Sequence, residues 1–218
     1  MSPRRPARIL VSAGPTREWL DPVRYLSNAS SGKMGFAIAA EAARRGCAVT
    51  LVAGPVALET PAGVRRIDVE SAREMLVVLR REFRGADALF MAAAVADWRP
   101  ARRLAGKWRA KDGGAQGATI ELVRNPDVVA TLARRKGARR VVAFALETGS
   151  GLRRALGKLV RKNADFVVLN DASVLNSERA TVTILGQDGS VQRVERRTKR
   201  AVAAQLVDLV DPPRERRR

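Results

Sequence analysis

Apolar and polar positions along the chain follow two periods, and the switches between them mark its elements. Ile9-Leu-Val-Ser-Ala13 is a short apolar run that stops at Gly14-Pro15, so a first strand is predicted over 8–13. A polar loop over 14–31 follows. A helix is then predicted over 32–45, Ala-rich, closed by Gly46 and with Ser30-Ser31-Gly32-Lys33 as its first turn. Residues 48–53 read as a second strand ended by Gly54-Pro55, and 64–69 as a third. Ser71 caps a helix reaching about Phe83, with Glu74 three residues on completing a capping box. The run 86–94 fits a buried parallel strand.

Beyond Asp97 the period is lost from Arg99 to Gly117, a basic stretch holding Lys107 and Lys111 that reads either as a mobile functional loop, with the composition of a flap over phosphates, or as a merely disordered one. Regular pattern returns with a strand at 119–123 and a helix opened by Asn125-Pro126-Asp127. Next come a strand at 140–147, a helix from Thr148-Gly149 to about Asn163 and a strand at 165–171. A hairpin over 181–196 turns at Asp188-Gly189, and a last helix covers about 198–210. Strands and helices alternate, so the expected fold class is α/β. The architecture is a three-layer Rossmann-like sandwich: a mostly parallel, doubly wound sheet, a C-terminal hairpin and a mobile flap. A single domain is expected over 8–211, between basic tails at 1–7 and 212–218.

Composition narrows the chemistry. The chain has 218 residues, no His and one Cys. That removes His-based triads, His metal sites and thiolate zinc sites. What remains is Asn, Asp, Lys, backbone amides and magnesium, the kit of phosphoryl or nucleotidyl transfer. One Cys allows no internal disulfide, and no apolar run is long enough for a membrane span or a signal-type core, so a cytoplasmic protein without membrane association is expected. The net charge of +19 points to polyanions, but the basic residues are dispersed and aromatics make up only 4%, so no specific nucleic-acid partner is expected. Almost all that charge is Arg; the lysines are Lys33, Lys107, Lys111, Lys136, Lys158, Lys162 and Lys199. A compact ammonium kept at a few places suggests a use for it there.

Two stretches carry candidate chemistry. The segment Ser30 to Gly35 opens a helix, where free N–H groups and the dipole favour an anion. It is not a P-loop, since Ser27 and Met34 stand where Gly and Ser or Thr are needed, and it is not a dinucleotide fingerprint, since Ser30 replaces the first Gly. The second is Ala92 to Asp97, at a strand's carboxyl end where open α/β sheets bind ligands. Asp97 suits ribose hydroxyls, an amide or a metal. Lys158 and Lys162, at i and i+4, share one helix face.

The motifs Ala13-Gly14-Pro15-Thr16-Arg17-Glu18, Asp21-Pro-Val-Arg24-Tyr, Ser27-Asn28-Ala-Ser30-Ser31-Gly32-Lys33-Met34-Gly35, Ala93-Ala94-Val95-Ala96-Asp97, Asn125-Pro126-Asp127, Phe144-Ala-Leu-Glu147-Thr148 and Ala164-Asp165 to Asn170-Asp171 occur in an order that resembles phosphopantothenoylcysteine synthetase, the ligase of coenzyme A biosynthesis. The resemblance runs from about Ile9 to Leu209. It implies that 4′-phosphopantothenate attacks CTP, or ATP as in eukaryotic relatives, and that L-cysteine then displaces the nucleoside monophosphate. It implies Mg2+, a homodimer, no flavin in this chain, and a separate phosphopantothenoylcysteine decarboxylase as a further partner. By resemblance Asn28 and Lys107 are catalytic. Arg24, Asn28, Ala93, Ala94 and Asp97 hold the substrate, with Arg24 reaching it from the neighbouring subunit. Gly14, Ser30, Gly32, Gly35, Ala93, Asp97, Pro126, Asp127, Val128, Val129, Phe144, Lys158, Lys162 and Asn170 hold the nucleotide; metal ligands are not implied.

The flap keeps only the first Lys of the family's Lys-x-Lys-Lys, Ala29 stands where bacterial members often have His, and the segment after Asp171 is short. Two rival readings are a Rossmann-type NAD(P)-binding oxidoreductase, opposed by the missing acid after the second strand, and a basic nucleic-acid-binding module, opposed by the dispersed charge.

Overall fold

The structure, a computed structural model, describes residues 5–109, 119–147, 151–171 and 179–211. The tail ends, flap residues 110–117, the Thr148-Gly149 helix opening and the segment 172–178 lie outside the described residues. Among those described, no helix is long and apolar enough to cross a membrane.

The main sheet has eight strands. In chain order these are β1 (Arg8–Ala13), β4 (Ala48–Ala53), β5 (Val64–Asp68), β6 (Ala88–Met91), β9 (Arg140–Glu147), β10 (Phe166–Asp171), β11 (Arg179–Gly186) and β12 (Val191–Thr198). Four short strands stand outside it: β2 (Arg17–Trp19), β3 (Tyr25–Ser27), β7 (Trp98–Pro100) and β8 (Leu122–Arg124). The helices are α1 (Lys33–Arg44), α2 (Ala72–Phe83), α3 (Val128–Ala133), α4 (Gly151–Arg161) and α5 (Lys199–Asp208).

The strand order is β12-β11-β10-β9-β6-β1-β4-β5. All neighbours from β5 to β10 pair in parallel, and β11 and β12 add an antiparallel edge. Side chains alternate across this sheet. Ile9, Val11 and Ala13 pack into one core with Phe36, Ile38 and Ala42 of α1 and Val202 and Leu206 of α5. Leu10 packs into the other, with Met75 and Leu79 of α2, Val129 and Leu132 of α3 and Leu159 of α4. The expected doubly wound α/β sandwich is therefore the fold.

The differences from the expected elements have local causes. Helix α1 starts at Lys33, because Gly32 is left-handed at φ 74° and cannot continue a right-handed helix backwards through Ser31 and Ser30. The fourth strand is shorter than 86–94, since beyond Met91 the backbone turns to bond the exit of β1. The loop 14–31 holds the β2–β3 hairpin. The strand expected at 119–123 is β8, and it leaves the main sheet to pair antiparallel with β7 at the root of the flap. The C-terminal hairpin turns at Asp188-Gly189 as expected, with Gly189 left-handed and the Ser190 N–H donating to Asp188 Oδ1 at 3.0 Å.

The layer of α1 and α5 is cross-linked at its far end. Glu41, 4% exposed, accepts from Arg44 and Arg45, and Arg45 also pairs with Asp208 of α5 at 2.5 Å and donates to the Ala204 carbonyl. So the carboxyl ends of α1 and α5 lie side by side and the two helices run parallel. The Arg44 hydrogen bond, with Arg45 adding to it against the cost of burial, brings the Glu41 carboxyl down to about 2. A depressed carboxylate stabilises the fold above its unfolded value near 4.5 and loses that contribution as pH falls towards 2. Glu41→Gln should therefore lower stability at neutral pH, and its deficit against wild type should shrink between pH 4.5 and 2 in urea titrations; a deficit independent of pH would refute this linkage.

Candidate functional site

In a doubly wound sheet the strand order reverses at one point, and here it lies between β1 and β6. The chain leaves both strands at the same edge, and the two exits are bonded to each other. Ala94 N–H donates to the Gly14 carbonyl at 2.9 Å, and Thr16 N–H donates back to the Ala94 carbonyl at 3.3 Å. Side chains complete the join: Ser12 Oγ accepts from Ala93 N–H at 3.2 Å, and Thr16 Oγ1 accepts from Ala96 N–H at 3.0 Å. Ser12 and Thr16 are fully buried polar residues, and these bonds satisfy them.

Above this floor opens a cleft of about 810 Å3. One wall is the loop from Asn28 into the first turn of α1, on whose side of the sheet Phe144 packs; Arg124 to Val129, leading into α3 in the other layer, forms a second wall. No side chain caps α1, and no acidic residue lies in its first turn, so its positive end faces the cleft unneutralised. Gly35 lets the helix approach this closely: a Cβ there would meet the Cβ of Ala13 at 2.5 Å. Lys33 enters from α1, Lys158 from α4 in the opposite helix layer, Lys162 from the turn just past α4, and Lys199 from α5. Lys162 stands 3.5 Å from Asp127, which caps α3 by accepting from Ala130 N–H at 3.0 Å.

Most of the residues singled out in the sequence meet here. Asn28, Ser30, Gly32, Gly35, Ala93, Ala94, Asp97, Pro126, Asp127, Val128, Val129, Phe144, Lys158, Lys162 and Asn170 all line the cleft. Asn28 ties its wall to the floor: its Nδ2 donates to the carbonyls of Ala94 at 3.2 Å and Val95 at 3.1 Å. Asn125 does the same from the far side, donating to the Ala96 carbonyl at 2.9 Å. Sequence reasoning assigned no site role to Asn125, Arg124 or Lys199. Asn125 carried the best available signal, since it opens the Asn-Pro-Asp turn.

Gly14, Arg24 and Lys107 do not line the cleft. Gly14 lies beneath it, left-handed at φ 76° and packed on Gly54 and against Gly32. Arg24 is held outside by Asp21, which accepts from its Nε at 2.9 Å and from its terminal nitrogen. Asp21 is completely buried and also accepts from the backbone N–H groups of Val23, Arg24 and Trp108. Burial pushes the Asp21 carboxyl up, but these donors outweigh it and hold it well below the usual carboxylate range. Arg24 also donates to the Trp108 carbonyl. Lys107 is exposed, one residue before this clasp.

A family model described as the DNA/pantothenate metabolism flavoprotein C-terminal domain matches residues 5–212. The chain belongs to that family. It is 47% identical over 186 residues to the coenzyme A biosynthesis bifunctional protein CoaBC of Escherichia coli K12, covering 83% of this chain and 46% of that one. The CoaBC protein of Mycobacterium tuberculosis is 40% identical over 217 residues, covering 93% and 51%. The chain thus spans about half the length of these relatives. Among solved structures, the C-terminal domain of a CoaBC protein superposes with a TM-score of 0.81 at 38% identity over 94% of each chain. A family protein from Streptococcus pneumoniae gives 0.82 at 19% identity, covering 94% of this chain and 98% of that one, a likeness of fold.

Within this family domain, Asp21 joins the β2–β3 hairpin to the flap root. Asp21→Ala should release Trp108 and loosen the backbone around the already exposed Arg102, Arg103, Lys107 and Arg109, so that trypsin cuts there more readily. Faster cleavage there and a lower melting temperature are expected; an unchanged digest would show that the clasp does not hold the flap.

Proposed function

We propose that this chain is a phosphopantothenate–cysteine ligase. The carboxylate of 4′-phosphopantothenate attacks the α-phosphate of CTP and displaces pyrophosphate. The amine of L-cysteine then attacks the acyl cytidylate and releases CMP. The observation that carries this reading is the cleft at the strand-order reversal, bounded by the uncapped start of α1 and by lysines from both helix layers, in a chain of this family. Such a site stabilises a triphosphate and its developing charge without a histidine. A structural neighbour, a Cab2 variant at 15% identity, is described as a complex with phosphopantothenate-cysteine; it shares the fold.

In this reading Ser30, Gly32 and the α1 N–H groups cradle phosphates, and Lys158 and Lys162 neutralise them. Pro126 to Val129 and Phe144 receive the base, and Ala93, Ala94 and Asp97 line the shared wall. ATP is the alternative nucleotide. Among the described residues no three His, Cys, Asp or Glu side chains converge. Mg2+ would thus enter with the triphosphate, held mainly by phosphate oxygens. Asn28 spends its amide N–H groups on the Ala94 and Val95 carbonyls, which leaves its amide oxygen for the attacking amine. Lys107 reaches the nucleotide when the flap folds over it.

A homodimer belongs to the same reading. Val23, Tyr25, Trp98, Ile120 and Leu122 are exposed apolar residues on or beside the two small sheets, a patch that a second copy would cover. Arg24 sits at this patch, outside its own cleft, in reach of a partner's substrate phosphate. The product would pass to a decarboxylase, consistent with the bifunctional relatives.

Pyrophosphate release from CTP, measured with and without phosphopantothenate and cysteine, tests the reaction. Release should require phosphopantothenate, and thiol adduct should require cysteine; release from neither CTP nor ATP would overturn the reading. Asn28→Ala should lower kcat by roughly 10²-fold, the scale for one lost preorganised polar contact. Mixing Arg24→Ala and Asn28→Ala chains should restore activity through one intact composite site per heterodimer; no recovery in verified heterodimers would sink the shared site.

A further inference from the structure

We infer that Asn125 is a positioning residue of the site: braced by Arg99, it sets the spacing between Asp97 and the wall from Pro126 to Val129, and through that spacing the fit of the nucleotide base. The inference rests on the ligase reading for the identity of the ligand.

The segment from Ala94 to Asp97 lines the cleft, and each of its four carbonyls accepts a hydrogen bond. The Ala94 carbonyl is met by Thr16 N–H and Asn28 Nδ2, and the Val95 carbonyl by Asn28 Nδ2. The other two belong to Asn125. Its backbone N–H donates to the Asp97 carbonyl at 2.8 Å, and its Nδ2 donates to the Ala96 carbonyl at 2.9 Å. The reason is local. β7 and β8 pair antiparallel with Trp98 opposite Arg124, so the Asn125 N–H adds one more rung, at Asp97. Pro126 has no N–H and ends the ladder there. The side chain of Asn125 then reaches the carbonyl of Ala96, a buried residue.

Arg99 fixes which way the amide faces. It donates to Asn125 Oδ1 at 3.2 Å and to the Arg124 carbonyl. A carbonyl only accepts and a guanidinium only donates, so one end of the side chain must be an N–H donor and the other an oxygen. Asn meets both demands. Asp would set a carboxylate against the Ala96 carbonyl, and Leu would leave both partners unmet. Both ends of the amide are committed to the protein, so its role is to position and not to react. Arg99 is outside the cleft lining, so its effect on a ligand passes through Asn125.

On one side of this knot stands Asp97, and on the other the wall that receives the base in the ligase reading. Loosening the knot lets the two drift apart. A pocket without one fixed width discriminates less between a pyrimidine and a purine, because it no longer penalises the wrong one.

Calorimetric titration of the full chain with CTP and with ATP, each with magnesium and without phosphopantothenate, tests this. Wild type should prefer one of the two. Asn125→Ala should weaken the preferred nucleotide by roughly tenfold, the scale of one hydrogen bond, and the other nucleotide less, so that the affinity ratio moves towards one. Arg99→Ala, which keeps both Asn125 donors, should move the ratio the same way by a smaller amount. The double variant should match Asn125→Ala alone, since the two residues act as one unit. In turnover the loss should fall on the nucleotide KM, with kcat largely kept. Where Asn125→Ala does not fold, Asn125→Asp, which keeps the acceptor for Arg99 and loses the donor to Ala96, takes its place. Equal losses for CTP and ATP, additive losses in the double variant, or a wild type that binds both nucleotides equally would overturn the positioning role. A ratio that shifts in a chain releasing pyrophosphate from neither nucleotide would overturn the ligase reading and leave the positioning role standing.

Discussion

The site depends on one junction, the pair of backbone hydrogen bonds between the exits of β1 and β6. Gly14 and Ala94 exchange bonds through Thr16, and the buried hydroxyls of Ser12 and Thr16 take up the N–H groups that the two turns would otherwise strand. Once those exits are fused, the loop after β6 cannot move independently of β1. Asn28 and Asn125 then hang both walls of the cleft on its carbonyls. An unmet polar group in this buried floor would cost on the order of 1–3 kcal/mol. The cleft is preorganised because its floor is bonded across both strand exits.

That junction also explains what could be read along the chain. Long elements with a clean period, such as β1, α1, β4 and α2, depend on local pattern, and the Ser71–Glu74 box at α2 forms as its spacing implies. The start of α1 and the small residues of 92–96, singled out in the sequence, do line the cleft. The three-residue strands β2, β3, β7 and β8 were not, since three residues carry no period and their pairing is set by distant contacts. Of the residues assigned by resemblance, Gly14 supports the floor, and Arg24 and Lys107 stand outside the cleft. The role of Asp21 was invisible because its partners, Arg24 and Trp108, lie 3 and 87 positions away and meet it only after folding.

The scarcity of lysine acquires a structural sense. Several arginines outside the cleft pair with carboxylates: Arg5 with Asp87, Arg45 with Glu41 and Asp208, Arg66 with Asp68. Their planar forks suit fixed, bidentate contacts. The cations at the cleft are mostly lysines, on both helix layers. An ammonium is a compact charge that follows a phosphate as it moves from ester to leaving group. A guanidinium in its place would be committed to one geometry.

Charge distribution also bears on how a chain this basic keeps a selective site. A surface of net positive sign attracts any polyanion, with weak discrimination. Selectivity has to come from where the charge is focused and desolvated. The uncapped end of α1 contributes a fixed partial charge that an anion would meet without reorganisation, and the bonded floor beneath it holds that end in place. The dispersed arginines can then set the long-range attraction while the cleft sets the orientation, so the net charge of +19 and a small, ordered site are two parts of one electrostatic design.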